Sequence, residues 1–201
     1  MQPFSPKTFS IPTLKGISVK TIEEHLKLYQ GYVKNANLIY EKCGDYMQDA
    51  EKNAYAINEL LRRLSFEYNG IRNHEVYFGA LEGGPAAPSA SSALRAKLES
   101  KGITLENWLV EFKKLASTMR GIGWAALVVE PGTGEIYTIW IDEQHLGHFN
   151  GTQMILGLDM WEHSYVADYQ PSGKKQYVED FFANLNWKTV EQNFDRVVGM
   201  K

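Results

Sequence analysis

The residues best suited to chemistry are five histidines, His25, His74, His145, His148 and His163, and a carboxylate, Asp159, four positions before the last of them. The apolar run Met154-Ile155-Leu156-Gly157-Leu158 leads into that carboxylate. It reads as a buried strand ending at Asp159, which lets Asp159 and His163 point into one interior site. An Asp-x-x-x-His pair alone specifies little. His25 and His74 each lie on a predicted long helix, and facing helices could bring both imidazoles to Asp159 and His163. Three imidazoles and one carboxylate form a nitrogen and oxygen donor set suited to iron, manganese or zinc. The His-x-x-His spacing of His145 and His148 offers a competing metal motif, but a surface or interface position is the simpler reading. Cys43 is the sole cysteine, so no intrachain disulfide can form, and it reads as a small helix residue rather than a nucleophile.

Several elements must position these groups. Residues 1–18 are punctuated by proline and read as an extended arm. Ser18 is a plausible cap for a helix over 19–50, in which Ile22, Leu26, Tyr29, Val33, Ala36 and Tyr40 recur at helical spacing. A second helix is predicted over 50–64, with Ile57, Leu60, Leu61 and Leu64 in its stripe. Tyr68-Asn69-Gly70 reads as a break or kink, with helix resuming through 73–78. Together these make an antiparallel helical hairpin. The segment 85–92, Pro-Ala-Ala-Pro-Ser-Ala-Ser-Ser, reads as a linker between a helical domain over 1–84 and a second domain over 93–201. In the second part, helices are predicted over 93–100 and 105–120, the latter capped by Thr104. Strands over 124–130 and 135–141 flank Pro131-Gly132-Thr133-Gly134, and 152–158 supplies a third. The remainder, 161–169, 175–185 and 189–198, reads as helical. The fold class is α+β, with a three-stranded antiparallel sheet.

Composition narrows the function. The chain has 201 residues, with 44% hydrophobic and 22% charged, an ordinary globular mixture with ample core. A net charge of −3 offers no basic footprint for nucleic acid. No run approaches a membrane span, and no signal peptide is evident. A cytoplasmic protein is expected.

Further motifs specify more. Asp159-Met160-Trp161-Glu162-His163-Ser164-Tyr165 resembles the signature of iron/manganese superoxide dismutases. Thr21-Ile22-Glu23-Glu24-His25 with Gly31-Tyr32-Val33-Lys34-Asn35 is similar to that family's first-helix motif, and Asn73-His74 to its second. Gly121-Ile122-Gly123-Trp124 and Asn186-Trp187 match in the same order. The resemblance implies metal ligands His25, His74, Asp159 and His163 for one manganese or iron ion per subunit. It implies superoxide as substrate, and a homodimer or tetramer. Tyr32 would be the gateway residue, and Gln144 would hydrogen-bond the metal-bound solvent. Trp124 and Trp161 would form an apolar wall, while Glu162 and Tyr165 would face a second subunit. Gln144, combined with Gly70 where iron-type members carry glutamine, favours manganese or dual use.

The first helix departs from the family pattern. The spacing from His25 to Tyr32 is one residue short, and Leu28-Tyr29 stands where the family has a histidine pair. Aligning on Tyr32 would make Glu24 the ligand; aligning upstream makes it His25. Seven residues at about 100° each return to nearly the same helix face. The shorter spacing therefore predicts loss of a π-bulge and an unbroken helix over 22–34. Tyr29 could replace the missing histidine through its hydroxyl, and Lys174 approximates an arginine at the channel mouth. A non-catalytic or weakly active partner-binding member of the fold is the rival reading, and a zinc hydrolase is a third.

Overall fold

The computed structural model describes residues 2–199. Two long helices, α1 (Val19–Tyr46) and α2 (Ala54–Gly79), form the largest helical unit. The Ser18 side chain accepts from the Thr21 amide and caps α1 as expected. Residues 47–53 turn the chain back, so α2 runs antiparallel to α1. The face between them buries Ile22, Tyr29, Val33, Ala36, Ile71, Tyr77 and Phe78. No π-turn interrupts α1, in agreement with the shorter spacing between His25 and Tyr32.

The predicted break at 68–70 does not occur, because α2 is continuous through it. Gly70 is there for a different reason. A Cβ at that position would meet the Tyr32 ring at 2.5 Å. The glycine therefore allows an aromatic ring from α1 to lie against the α2 backbone, and tertiary packing overrides the local helix preference.

The arm over residues 2–17 lies along the hairpin. Phe4 N donates to Asn37 Oδ1, Lys7 N to Tyr29 Oη, and Ser10 N to Glu82 Oε1, each at 2.8 Å. The segment 85–92 contains no regular element. Ala86 N donates to Leu185 O and Ser89 N to Glu191 Oε1, tying it to the C-terminal helices.

Two helices, α3 (Ala93–Ser100) and α4 (Leu105–Thr118), lead to the sheet. Ser92 and Thr104 cap them. Strands β1 (Trp124–Val129), β2 (Ile136–Ile141) and β3 (Gln153–Asp159) are antiparallel in the order β2-β1-β3. Every residue of β1 is buried, as a central strand covered on both faces requires. Trp124 opens β1, and its register partner on β3 is Asp159. The apolar run thus delivers the carboxylate to the last rung of the sheet, beside a tryptophan.

The stretch 161–169 is not one helix. A 3-10 turn (Glu162–Ser164) and a single helical turn, α5 (Val166–Tyr169), are separated by Tyr165 at φ −143°. Helices α6 (Lys174–Asn184) and α7 (Trp187–Val198) complete the fold. Among the described residues, no helix is long and apolar enough to cross a membrane.

Candidate metal centre

His25 on α1, His74 on α2, Asp159 at the end of β3 and His163 in the following turn converge on one point. One donor atom from each lies within 4.8 Å of all the others. Asp159 Oδ2 is 3.0 Å from His25 Nε2, 3.1 Å from His163 Nε2 and 3.6 Å from His74 Nε2. Ligand atoms about 2.1 Å from a shared ion would lie about 3 Å apart at right angles and about 3.6 Å apart at 120°. The separations fit one mononuclear ion with three imidazole nitrogens and one carboxylate oxygen.

The hydrogen bonds around the cluster leave those atoms for an ion. His74 Nδ1 lies 2.6 Å from the Gly70 carbonyl, which can only accept, so Nδ1 carries the proton and Nε2 keeps its lone pair. No group among the described residues bonds His74 Nε2, although it is buried. A buried, unpaired acceptor is costly unless something occupies it. Asp159 Oδ1 accepts from Trp161 N at 2.8 Å, which turns Oδ2 inward. The Asp159 carbonyl accepts from Tyr177 Oη and Ser164 Oγ, both at 2.9 Å, which pins the strand end.

Electrostatics prepare the same donor set. Burial pushes the His74 imidazolium down to about 3, and the neighbouring His25 adds to it. Burial also lowers His25, against the pull of Asp159. For Asp159, burial favours the neutral acid, but the charges and hydrogen bonds of His163 and His25 prevail and hold it ionised. Neutral imidazoles and a carboxylate are the protonation states that bind a metal.

Aromatic rings wall the cluster. Trp124 is fully buried and lies edge-on to His74, with ring centroids 5.0 Å apart; Phe78 lies 4.9 Å from His25 and Trp161 5.9 Å from His163. Gln144 is fully buried. Its Oε1 accepts from Trp124 Nε1 at 2.9 Å, and its Nε2 donates to Tyr32 Oη at 3.0 Å. Asn73, the residue before a cluster histidine, donates to the Gln144 carbonyl at 2.9 Å and locks this loop to α2. Burial raises the Tyr32 hydroxyl above its ordinary pKa, and the charges of Asp159 and Glu67 add to that. At neutral pH it is a protonated phenol.

Comparison with known proteins agrees with this geometry. Residues 90–193 match the family described as iron/manganese superoxide dismutases, C-terminal domain. A superoxide dismutase [Fe] of Aquifex pyrophilus is 33% identical over 191 residues, covering 92% of this chain and 87% of that protein. The chain belongs to the iron/manganese superoxide dismutase family. A superoxide dismutase [Fe] of Pyrobaculum aerophilum is 30% identical over 175 residues, covering 87% of this chain and 82% of that protein. A superoxide dismutase [Mn/Fe] of Aeropyrum pernix is 25% identical over 175 residues, covering 87% and 80%.

Against the family pattern, several expectations change. Glu24 is exposed and paired with Lys27 at 2.7 Å, so it is His25 that joins the cluster. Tyr29 does not replace the missing histidine. Its hydroxyl accepts from Lys7 N and donates to Glu75 Oε1, away from the channel. Leu28 lines the channel instead. Lys174 is not at the mouth, because its ammonium donates to the Met119 carbonyl at 2.6 Å. The lining cations are Arg63 and Lys27. His145 and His148 stay out of the cluster; both are half-buried, and His145 packs edge-on to Phe66. Glu162 is exposed, and Tyr165 is 5% exposed, stacked on Tyr177.

Sequence reading missed Arg63, Phe66 and Glu67. Arg63 falls off the apolar stripe of the predicted helix over 50–64, Phe66 and Glu67 lie just beyond that helix, and only the fold reveals that the three share a cavity with Tyr32 and His163.

Proposed function

We infer that this chain is a superoxide dismutase whose ion is held by His25 Nε2, His74 Nε2, His163 Nε2 and Asp159 Oδ2. The observation that carries the reading is the convergence of these four atoms, with His74 Nε2 buried and unpaired. When bound, the ion supplies a one-electron couple, so that one superoxide leaves as oxygen and the next as hydrogen peroxide. The protein supplies the rest. The aromatic walls keep bulk water from the imidazoles, which strengthens every electrostatic interaction inside. Gln144 fixes the Tyr32 hydroxyl, and Trp124 fixes Gln144. Tyr32, held protonated, can give a proton to the departing peroxide. The family match lends the zinc hydrolase no support.

The ion is iron or manganese. The names of the relatives above carry iron, or both metals, and lend no support to a preference for manganese. Gln144 and Gly70 remain the features of this chain that bear on the choice. We further read the protein as a homodimer with Glu162 and Tyr165 at the contact, and as two units over 1–84 and 93–201. The test is metal analysis and a superoxide assay on purified protein and on Asp159→Ala. The wild type should carry about one ion per chain and dismutate, and the variant should lose both. Equal metal and activity in the two proteins would refute the ligand assignment. A loaded wild type without dismutation would favour the non-catalytic reading.

A further inference from the structure

A second cavity, of about 530 Å³, is walled by α2, α7, the N-terminal arm and the loop before β3. Lys7, Arg72, Glu75, His148, Asn193 and Arg196 line it. Three cations therefore share this space with one carboxylate, on a chain whose net charge is −3. That carboxylate is already engaged. Glu75 Oε2 is 2.9 Å from both Lys7 Nζ and Arg72 Nη1, and its Oε1 accepts from Tyr29 Oη at 3.2 Å. One negative charge shared by two cations leaves a positive surplus, and Arg196 adds to it. Arg196 Nη2 donates to Asn193 Oδ1 at 2.9 Å, and no carboxylate among the described residues pairs with this guanidinium.

The wall is held in place by bonds that need no ligand. Asn73, also part of the lining, donates to the Gln144 carbonyl at 2.9 Å, and His148 Nε2 lies 3.4 Å from the same oxygen. The Arg72 guanidinium sits over the Tyr68 ring, 5.2 Å from its centroid. Phe4 packs edge-on against that ring, with centroids 5.9 Å apart. A guanidinium carries several N–H donors, so Arg72 and Arg196 keep donors beyond the bonds they make here. Its planar fork matches the oxygens of a phosphoryl group. Two such forks on different helices, with a lysine on the same cavity, suit a dianion. The volume is that of a small-molecule site. The Tyr68 ring, against which a base could stack, already packs with Arg72 and Phe4, which disfavours a nucleotide.

We propose that this cavity binds a small phosphate-type dianion on Arg72 and Arg196, either inorganic phosphate or the phosphoryl group of a small organic phosphate. Neither guanidinium bonds any of the four clustered side chains. The site is separate from the metal centre and does not rest on the dismutase reading.

Calorimetry on the metal-loaded protein at constant ionic strength, with inorganic phosphate and separately with glycerol 3-phosphate, tests the proposal. The wild type should bind about one phosphate per chain. Arg72→Gln and Arg196→Gln should each weaken binding about tenfold, as expected for loss of a charge-assisted contact. Arg196 is exposed, so its variant keeps the fold even if Arg72→Gln does not. Arg62→Gln removes an exposed guanidinium outside the cavity and should leave the affinity unchanged. Tighter binding of glycerol 3-phosphate identifies an organic phosphate as the ligand, and tighter binding of inorganic phosphate identifies the free ion. No binding at millimolar phosphate overturns the proposal. So does equal weakening in Arg62→Gln, which would show attraction to surface charge alone. Binding that survives both cavity variants but is lost in Arg63→Gln, or on removal of the metal, overturns it as well, since phosphate would then sit beside the metal centre.

Discussion

Replacing Gly70 with alanine should misplace Tyr32. The added Cβ would lie 2.5 Å from Tyr32 Cδ1, 2.8 Å from Cγ and 2.9 Å from Cε1. These are atoms of a rigid ring near its attachment, so a rotamer change at a flexible tip cannot relieve the overlap. Reaching ordinary contact near 3.5–4 Å requires the ring to retreat by about 1 Å. Gln144 Nε2 holds the hydroxyl at 3.0 Å and is itself bonded through Oε1 to Trp124, so a retreat of that size breaks or stretches the bond. Two opposing terms set the stability. Alanine gains about 1 kcal/mol in helix propensity over glycine. Overpacking costs about 1–3 kcal/mol, and a lost hydrogen bond about 1 kcal/mol more. The net expectation is destabilisation of about 1–3 kcal/mol.

Activity should suffer more than stability. A displacement of about 1 Å at a group that must meet the reacting atoms can lower turnover about a hundredfold. Gly70→Gln, which would place a second amide near the cluster, meets the same ring and should behave as badly unless Tyr32 is also shortened. The assays are thermal unfolding, metal content and superoxide turnover on the purified variant, with a crystal structure to locate Tyr32. An alanine variant about 1 kcal/mol more stable than wild type, fully active and with Tyr32 unmoved, would refute the reasoning. It would mean that glycine at 70 reflects no packing demand.

Acid should destabilise the metal-free protein. The folded-state pKa of His74 lies near 3 against an ordinary 6.5, and His25 is also lowered, so the unfolded chain binds more protons below about pH 6.5. Stability contributed by these neutral imidazoles is complete above that pH and declines as pH falls, for His74 down to about 3, by up to about 1.4 kcal/mol per unit for each histidine. Asp159, lowered below its usual range, adds a loss in the same direction below about pH 4. Urea unfolding from pH 7.5 to 4.5 measures this, and a flat profile contradicts it. Tyr29→Phe should cost about 1–3 kcal/mol in unfolding experiments through the loss of the hydroxyl that joins Lys7 N to Glu75, with metal content unchanged. A collapse of turnover at intact stability would instead place Tyr29 in the channel. Lys174→Gln should leave the salt dependence of turnover unchanged, because the ammonium is held by Met119 O rather than facing substrate; a flattened dependence would return it to the mouth.

What the sequence disclosed, and what it hid, follows one physical line. The buried strand into Asp159, the Ser18 and Thr104 caps and the α1 stripe were legible because each depends on neighbours a few residues away. The unbroken α1 was also legible, since spacing alone fixes which residues share a helix face. Gly70 was misread because local propensity sees a helix breaker, whereas the constraint is a ring 38 positions earlier in the chain. Gln144 was singled out only through the family resemblance, and its bonds to Tyr32 and Trp124 explain its burial. Tyr29 and Lys174 kept suitable donors but turned them elsewhere, and side-chain direction is not encoded in residue type.

These departures lie on one side of the centre. The cluster itself, with Asp159 pinned by Tyr177, Ser164 and Trp161, has the donor set the family resemblance implies. The approach to it is rebuilt. The shortened α1 removes a histidine pair and leaves Leu28 on the cavity wall, with no group able to pass a proton. On the same cavity, α2 contributes Arg63, bonded to the buried Glu67. Proton transfer needs an unbroken chain of exchangeable groups, but it does not need them to come from one particular helix. With no exchangeable proton on the wall at position 28, Leu28→His should raise turnover at unchanged metal content. Equal turnover in Leu28→His and the wild type would show that this part of the wall does not limit the supply of protons.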